Sequence, residues 1–289
     1  MLESHSNKAL TTAFLLNLLF AIAELVGGFY TNSLAILSNG LHDVGDSISL
    51  GIAWIFDRLS KQERTHTFSY GYKRFSLVSA LLNSIILLIG SFFILSEAIP
   101  RLSSPQHSNA DGMFVFALVG VCINLVAYVR LKRGKTMNEQ VSALHLLDDV
   151  LGLSSVLVIS VIIKVFDIHI LDPILSILIT MYLLSKVLQN LKKTLSIFLQ
   201  SVPENVDLPL IEKHVLTIPN VMKMHDTHVW SLDGESNVFT THLVVPNDTS
   251  HEEMVRVKNQ AKEYIQKQNV SHVTIEIGCE DEACLLDNC

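Results

Sequence analysis

The sequence predicts an all-α membrane bundle of six transmembrane helices followed by a small cytosolic α+β domain. Three observations carry that prediction. Of 289 residues, 49% are hydrophobic and only 17% charged, against about 25% charged in an ordinary soluble domain, and the mean hydropathy is +0.39. A series of apolar runs of roughly 20 residues, each long enough to cross a bilayer, fills the first two thirds of the chain. From about Gln200 the pattern changes to short alternating segments punctuated by Pro203 and Pro209. The expected divisions are a transmembrane domain over 1–199, an α+β domain over 200–278 and an acidic, Cys-containing tail over 279–289.

The expected spans are 9–29, 33–56, 75–95, 113–131, 141–166 and 170–191, with Pro100, Pro105 and Pro173 at or near their ends, where a backbone can leave a helix. The segment before the first span is short and weakly basic, and no small-residue cleavage pattern follows the span, so it reads as an uncleaved helix rather than a signal peptide. Arg58, Lys61, Arg64, Lys73 and Arg74 crowd the second connection, and Arg130, Lys132, Arg133 and Lys135 the fourth. The first connection has no Lys or Arg, the third has Arg101, the fifth has Lys164, and Lys192 and Lys193 follow the last span. The positive-inside rule then puts both termini in the cytoplasm. The net charge of −7 comes from an acidic excess late in the chain, so no nucleic-acid footprint appears. Four cysteines, three of them in the tail, make no disulfide framework and fit a reducing compartment or metal binding.

Two stretches inside this apolar body stand out, His42-Asp43-Val44-Gly45-Asp46 in the second span and His145-Leu146-Leu147-Asp148-Asp149 in the fifth. Positions i and i+4 share one face of a helix, so each span presents a His above or below an Asp. If the second span enters near Ser33, His42 lies roughly 13 Å and Asp46 roughly 19 Å below the outer face; if the fifth enters near Asn138, His145 lies roughly 10 Å and Asp149 roughly 16 Å above the inner face. In a core about 30 Å thick, His42 is then level with Asp149, and Asp46 with His145. Carboxylates at that depth need a partner, a proton or a metal. Two imidazoles and two carboxylates balance one divalent cation and suit the tetrahedral preference of zinc, with cadmium and cobalt remaining open. The same groups bind protons once the metal leaves, so a site opening alternately to the two sides would exchange metal for protons. Brace residues are the bland alternative for one His–Asp pair; two matched pairs at opposing depths argue for ligation. Asp43 and Asp148 are read as groups that orient the ligands, and Glu24 as a deep carboxylate without an obvious partner.

The last part of the chain reads as helix 204–218, strand 222–232, a tight turn at Asp233-Gly234, strand 236–245, helix 250–268 and strand 271–277, an αββαβ order. A hairpin there would set His225 and His242 on adjoining strands. His66, in the basic second connection, is a candidate loop ligand. Cys279, Cys284 and Cys289 are spaced more widely than a structural zinc site requires, and read either as a metal-capturing end or as an acidic end without fixed structure. His5, His107, His169 and His214 carry no ligand pattern.

These features together resemble the cation diffusion facilitator family, metal/proton antiporters of the zinc-transporter type. The resemblance rests on the paired H-x-x-x-D motifs, on Ser33-Leu34-Ala35-Ile36-Leu37-Ser38, on Tyr70-Gly71-Tyr72-Lys73-Arg74, and on Met224-His225-Asp226-Thr227-His228-Val229-Trp230-Ser231. It implies a transport site of His42, Asp46, His145 and Asp149, and a homodimer formed through a metallochaperone-like cytosolic domain. It also implies a regulatory zinc site of His225, His242 and Glu276. The implied function is efflux of cytoplasmic Zn2+ (Cd2+ and Co2+ open) in exchange for protons by a multi-pass protein surrounded by lipid, with a bacterial inner membrane as the expected location. Two departures are Ser76, where the family has an acidic residue, and the Lys/Arg-rich rather than His-rich connection at Arg130–Lys135. The rival reading is a membrane zinc sensor that signals without transport; a metalloenzyme finds no H-E-x-x-H stretch to support it.

Overall fold

The computed structural model of the protein describes residues 18–60, 64–132 and 137–281. Contacts divide it into two compact units: described residues up to Phe56 with Ser79–Leu191, and Asp57–Val78 with the described chain from Lys192 onward.

The first unit is the helical bundle. Its elements are α1 (Leu18–Thr31), α2 (Leu34–Ser60), α3 (Phe75–Ser103), α4 (Ala110–Leu131), α5 (Met137–Phe166) and α6 (Leu171–Phe198). Among the described residues, α3 to α6 each hold a stretch long and apolar enough to cross a membrane, and α1 is a shorter apolar helix. Residues 9–17 of the first expected span lie outside the described residues, as does Lys61. Most helices overrun their apolar runs, because polar turns at a bilayer edge still satisfy backbone groups helically. In α3 the helix passes through Pro100 to Ser103. Proline there removes one donor, while Arg101 reaches back to Glu97 at 3.0 Å and Ser104 N–H donates to the Pro100 carbonyl at 3.1 Å. Pro173 sits in the first turn of α6, where its missing N–H costs nothing.

Side chains tie α2 to its neighbours. Asp172 of α6 caps the start of α2: its carboxylate accepts from the Ser33 hydroxyl at 2.5 Å and from Leu34 N–H at 2.8 Å, placing negative charge at a positive helix end. One α-turn further on, Ser38 and Thr180 share a hydrogen bond of 2.9 Å. A buried apolar cluster joins Ala35 and Ile36 of α2 to Met113 and Ala117 of α4, Val156 and Ile163 of α5, and Leu175 of α6.

The second unit carries α7 (Leu208–Val215), β1 (Lys223–Ser231), β2 (Asn237–Val245), α8 (His251–Gln266) and β3 (Val270–Cys279). This is the expected αββαβ order. The sheet order is β1-β2-β3, with β1 antiparallel and β3 parallel to β2. Alternate residues Phe239, Thr241, Leu243 and Val245 of β2 are buried, and Phe239 and Leu243 pack with Ile211, Val257, Ala261 and Ile265 from the two helices. Ser250 and Glu253 form a capping box at the start of α8. The connection before α3 belongs to this unit, where Lys73 Nζ donates to Ser236 Oγ at 2.8 Å and the Tyr70 ring meets His272 edge-on at 5.8 Å.

Candidate metal centre

The bundle site is built on α2 and α5. His42 Nε2 lies 3.4 Å from Asp46 Oδ2, both side chains about one fifth exposed, at 18% and 22%, as the shared helix face requires. A small cavity of about 20 Å³, large enough for one water or ion, lies beside His42 and is lined also by Ser38, Leu87, Thr180 and Val187. Asp149 is 2% exposed and within electrostatic reach of Glu24 and Asp43. His145 stands in α5, one turn before Asp149.

The register of the two helices follows from a contact outside the motifs. A Cβ on Gly152 of α5 would sit only 2.7 Å from Asn39 Oδ1 of α2, so absence of a side chain at Gly152 lets the helices close. Asn39 and Gly152 are thus level, and the buried cluster that joins Ala35 to Val156 is one turn further along in the antiparallel sense. Counting the other way, three residues on each helix, about 4.5 Å, reach His42 and Asp149, and seven, about 10.5 Å, reach Asp46 and His145. Each His is set level with an Asp of the other helix.

The neighbouring carboxyl groups divide. Asp43 is fully buried beside Glu24, the two within electrostatic reach of one another, and Asn39 Nδ2 donates to Glu24 Oε1 at 2.7 Å. Glu24 therefore has in Asn39 a polar partner that its position in the sequence did not reveal. A Cβ on Gly40 would fall 2.9 Å from Glu24 Cβ, so α1 and α2 meet closely at this cluster. Asp148 accepts from Lys186 Nζ of α6 at 2.9 Å.

In the α+β domain, His225 pairs with His242 across β1 and β2, and His242 with Glu276 across β2 and β3. The three stand in one row. His242 Nε2 is 3.1 Å from Glu276 Oε2, and the His225 and His242 rings are 5.5 Å apart. Asp226 joins them through a β-bulge, where the register shifts between His225 and His228 and Asp226 takes a φ of 48°. The bulge puts Asp226 Oδ2 3.6 Å from His242 Nε2 and Oδ1 2.8 Å from His228 Nε2. Two imidazoles and two carboxylates, three on one strand row and Asp226 on the adjoining bulge, are a donor set that suits a borderline divalent metal. Asp226 was not among the sequence candidates. The odd separation of its buried neighbours Met224 and Val229 was the available signal, because a regular strand repeats every second residue.

His66 is exposed in the connection before α3. Cys279 ends β3, and Cys284 and Cys289 lie outside the described residues. His107 and His169, which carried no pattern in the sequence, come together with Asp167 where the α3–α4 and α5–α6 connections meet.

Comparisons with known proteins agree with this architecture. The family model described as the cation efflux transmembrane domain matches residues 10–199, and that described as the cation efflux protein, cytoplasmic domain, matches residues 203–278. A cadmium, cobalt and zinc/H(+)-K(+) antiporter of Bacillus subtilis (strain 168) is 31% identical, covering 96% of this chain and 91% of its own length. The metal cation efflux system protein CzcD of Cupriavidus metallidurans is 33% identical over 94% of this chain and 86% of its own length. The zinc transporter ZitB of Pectobacterium atrosepticum is 31% identical over 98% and 89%. The chain belongs to the cation efflux, or cation diffusion facilitator, family of multi-pass membrane transporters.

Proposed function

We propose that this transporter exports divalent metal, with zinc as the principal substrate, by exchange for protons. His42, Asp46, His145 and Asp149 form the transport site, and the observation that carries this reading is the α2–α5 register set by Asn39 and Gly152. In the membrane interior a carboxylate without a counter-charge is costly, by about 2.5–3.5 kcal/mol or more. A divalent cation matches the two carboxylates, and protons replace it when the site faces the other side. An unperturbed imidazole changes charge near neutral pH, which makes histidine a ligand type for which metal and proton compete. Antiporter and zinc-transporter relatives support both the substrate and the exchange.

The protein works as a homodimer joined through the α+β domain, with both termini in the cytoplasm of a bacterial inner membrane; the matched cytoplasmic-domain model and the distribution of Lys and Arg support this arrangement. Residues 1–199 form the transporting body and 200–278 the regulatory domain. There His225, His242 and Glu276, joined by Asp226, hold a regulatory zinc ion.

The test is zinc flux into sealed proteoliposomes under an imposed pH gradient, comparing the parent with Asp46→Ala and Asp149→Ala. Flux that follows the gradient in the parent and disappears in both variants is the expected result. Zinc binding without flux in the parent would leave a sensor, and flux surviving either substitution would mean that other groups carry the metal.

A further inference from the structure

The α3–α4 and α5–α6 connections bring three ligand-type side chains together at one end of the bundle, past the C-termini of α3 and α5. The ligand atoms of His107, Asp167 and His169 lie within 4.8 Å of one another. We infer that these residues form a separate binding site for a divalent transition cation. It stands clear of the transport site: Asp167 follows Asp149 by eighteen positions, about 27 Å along a helix.

The donors are of one chemical kind and are already near the required spacing. Two imidazoles and a carboxylate suit zinc or cobalt(II) rather than magnesium or calcium. In a tetrahedral shell with bonds of about 2.0–2.1 Å, neighbouring donor atoms stand about 3.3 Å apart. His169 Nε2 and Asp167 Oδ1 are 3.0 Å apart. The His107 ring lies edge-on to that of His169, with centroids 4.1 Å apart, so a rotation of the exposed His107 side chain completes the trio. The fourth position stays open to water, as in exchangeable rather than structural zinc sites.

The backbone that carries these groups is held in place. The His107 carbonyl accepts from Asn32 Nδ2 at 3.0 Å, and Asn109 N–H donates to the Thr31 carbonyl at 2.8 Å. Asp167 takes a φ of 59° just past the end of α5. The His169 side chain is only 12% exposed, and its Nδ1 receives the Ser108 N–H at 3.3 Å. When Nε2 binds a cation, the ring hydrogen moves to Nδ1 and donates to Ser108 Oγ, also 3.3 Å away. That exchange costs the Ser108 N–H its acceptor and keeps the site weak. With the orientation proposed above, the end is extracytoplasmic and the ligand is the discharged cation, a step that rests on the export reading. Binding itself does not.

The experiment is a Co2+ titration of the full-length protein in detergent, followed by visible absorption and by bound metal at equilibrium dialysis against Co2+. Asp46→Ala, Asp149→Ala and His242→Ala together form a background that weakens the transport site and the regulatory site by removing a ligand or two from each. In that background the His107→Ala variant should bind one Co2+ fewer per protomer and lose the intense bands of a four-coordinate ion. The His107→Asp variant, which keeps a ligand at this exposed position, should retain both. Equal Co2+ content and spectra with and without His107→Ala would overturn the assignment, whether or not the parent transports metal.

Discussion

Adding a single methyl group at Gly152 tests whether the spacing of α2 and α5 sets the transport site. The new Cβ would sit 2.7 Å from Asn39 Oδ1, about 0.6 Å inside an ordinary carbon–oxygen contact of about 3.3 Å. Asn39 is 5% exposed, and its amide nitrogen is committed to Glu24 at 2.7 Å. Turning the amide away forfeits that buried bond, a loss of about 1.5–3 kcal/mol when the carboxyl group is charged. Alanine returns about 1 kcal/mol through its better helix propensity. The net destabilisation of Gly152→Ala is therefore about 0.5–2 kcal/mol if the amide yields.

If the helices yield instead, the opposed ligands further down the interface separate by a similar 0.6 Å or so, several times the roughly 0.2 Å tolerance of metal–ligand bonds. Zinc affinity then falls by tenfold or more. Both outcomes are read by thermal unfolding in detergent and by zinc competition against a chromophoric chelator, with Gly152→Ala, Asn39→Ala and the double variant forming a cycle. Because Asn39→Ala removes the obstructing atom, the double variant should be less damaged than the sum of the singles, by about 1 kcal/mol. Additive losses together with parental zinc affinity in Gly152→Ala would refute the argument that this contact sets the register.

Two further outcomes concern the α+β domain. The His242→Ala variant removes the imidazole that faces both Asp226 and Glu276, and should bind one zinc fewer per protomer by equilibrium dialysis; an unchanged zinc content would sink the regulatory site. Glu253 accepts hydrogen bonds from the Ser250 N–H and hydroxyl, which hold its carboxyl below the ordinary glutamate range. The cap therefore stabilises α8 above the unfolded pKa of about 4.3 and loses that contribution as pH falls through the lower folded value. An NMR titration should find Glu253 below the ordinary glutamate value of about 4.3, with Ser250→Ala, which deletes the hydroxyl and keeps the backbone N–H, raising it part of the way, and a Glu253 at the ordinary value in the parent would contradict the capping account.

What the sequence made legible follows from the range of each interaction. Helices and strands are local, so apolar runs and alternation revealed them, and the helix ends were missed mainly where polar turns extend past the apolar run, as at Ser103 and Phe198. His225 and His242 were also readable as neighbours, because a hairpin joins their strands, whereas Glu276 entered through the family resemblance, since no local pattern gives the register of β3 on β2. Asp226 escaped because a bulge breaks the alternation that the reading assumed. His107 and Asp167 are sixty positions apart, and no local period connects one bundle connection with another. Asp148 lies beside the proposed ligand Asp149 in sequence, yet α6 offers it Lys186, a partner that only packing could supply.

The paired motifs have a geometric property that explains why one distant contact decides so much. On antiparallel helices, advancing along one means retreating along the other, and both motifs separate His from Asp by four residues. Any register that sets His42 level with Asp149 therefore sets Asp46 level with His145 at the same time. A slip of one residue would displace both pairs by about 1.5 Å and rotate each ligand by about 100°. Asn39 and Gly152 sit one turn from the first pair, close enough to hold the register and outside the ligand positions themselves. Asn39 also reaches Glu24 on α1, so the contact that aligns the ligand-bearing helices is braced by a third helix. The proposed site would thus depend on residues outside the ligand set, and their substitution should weaken zinc binding while leaving all four proposed ligands in the chain.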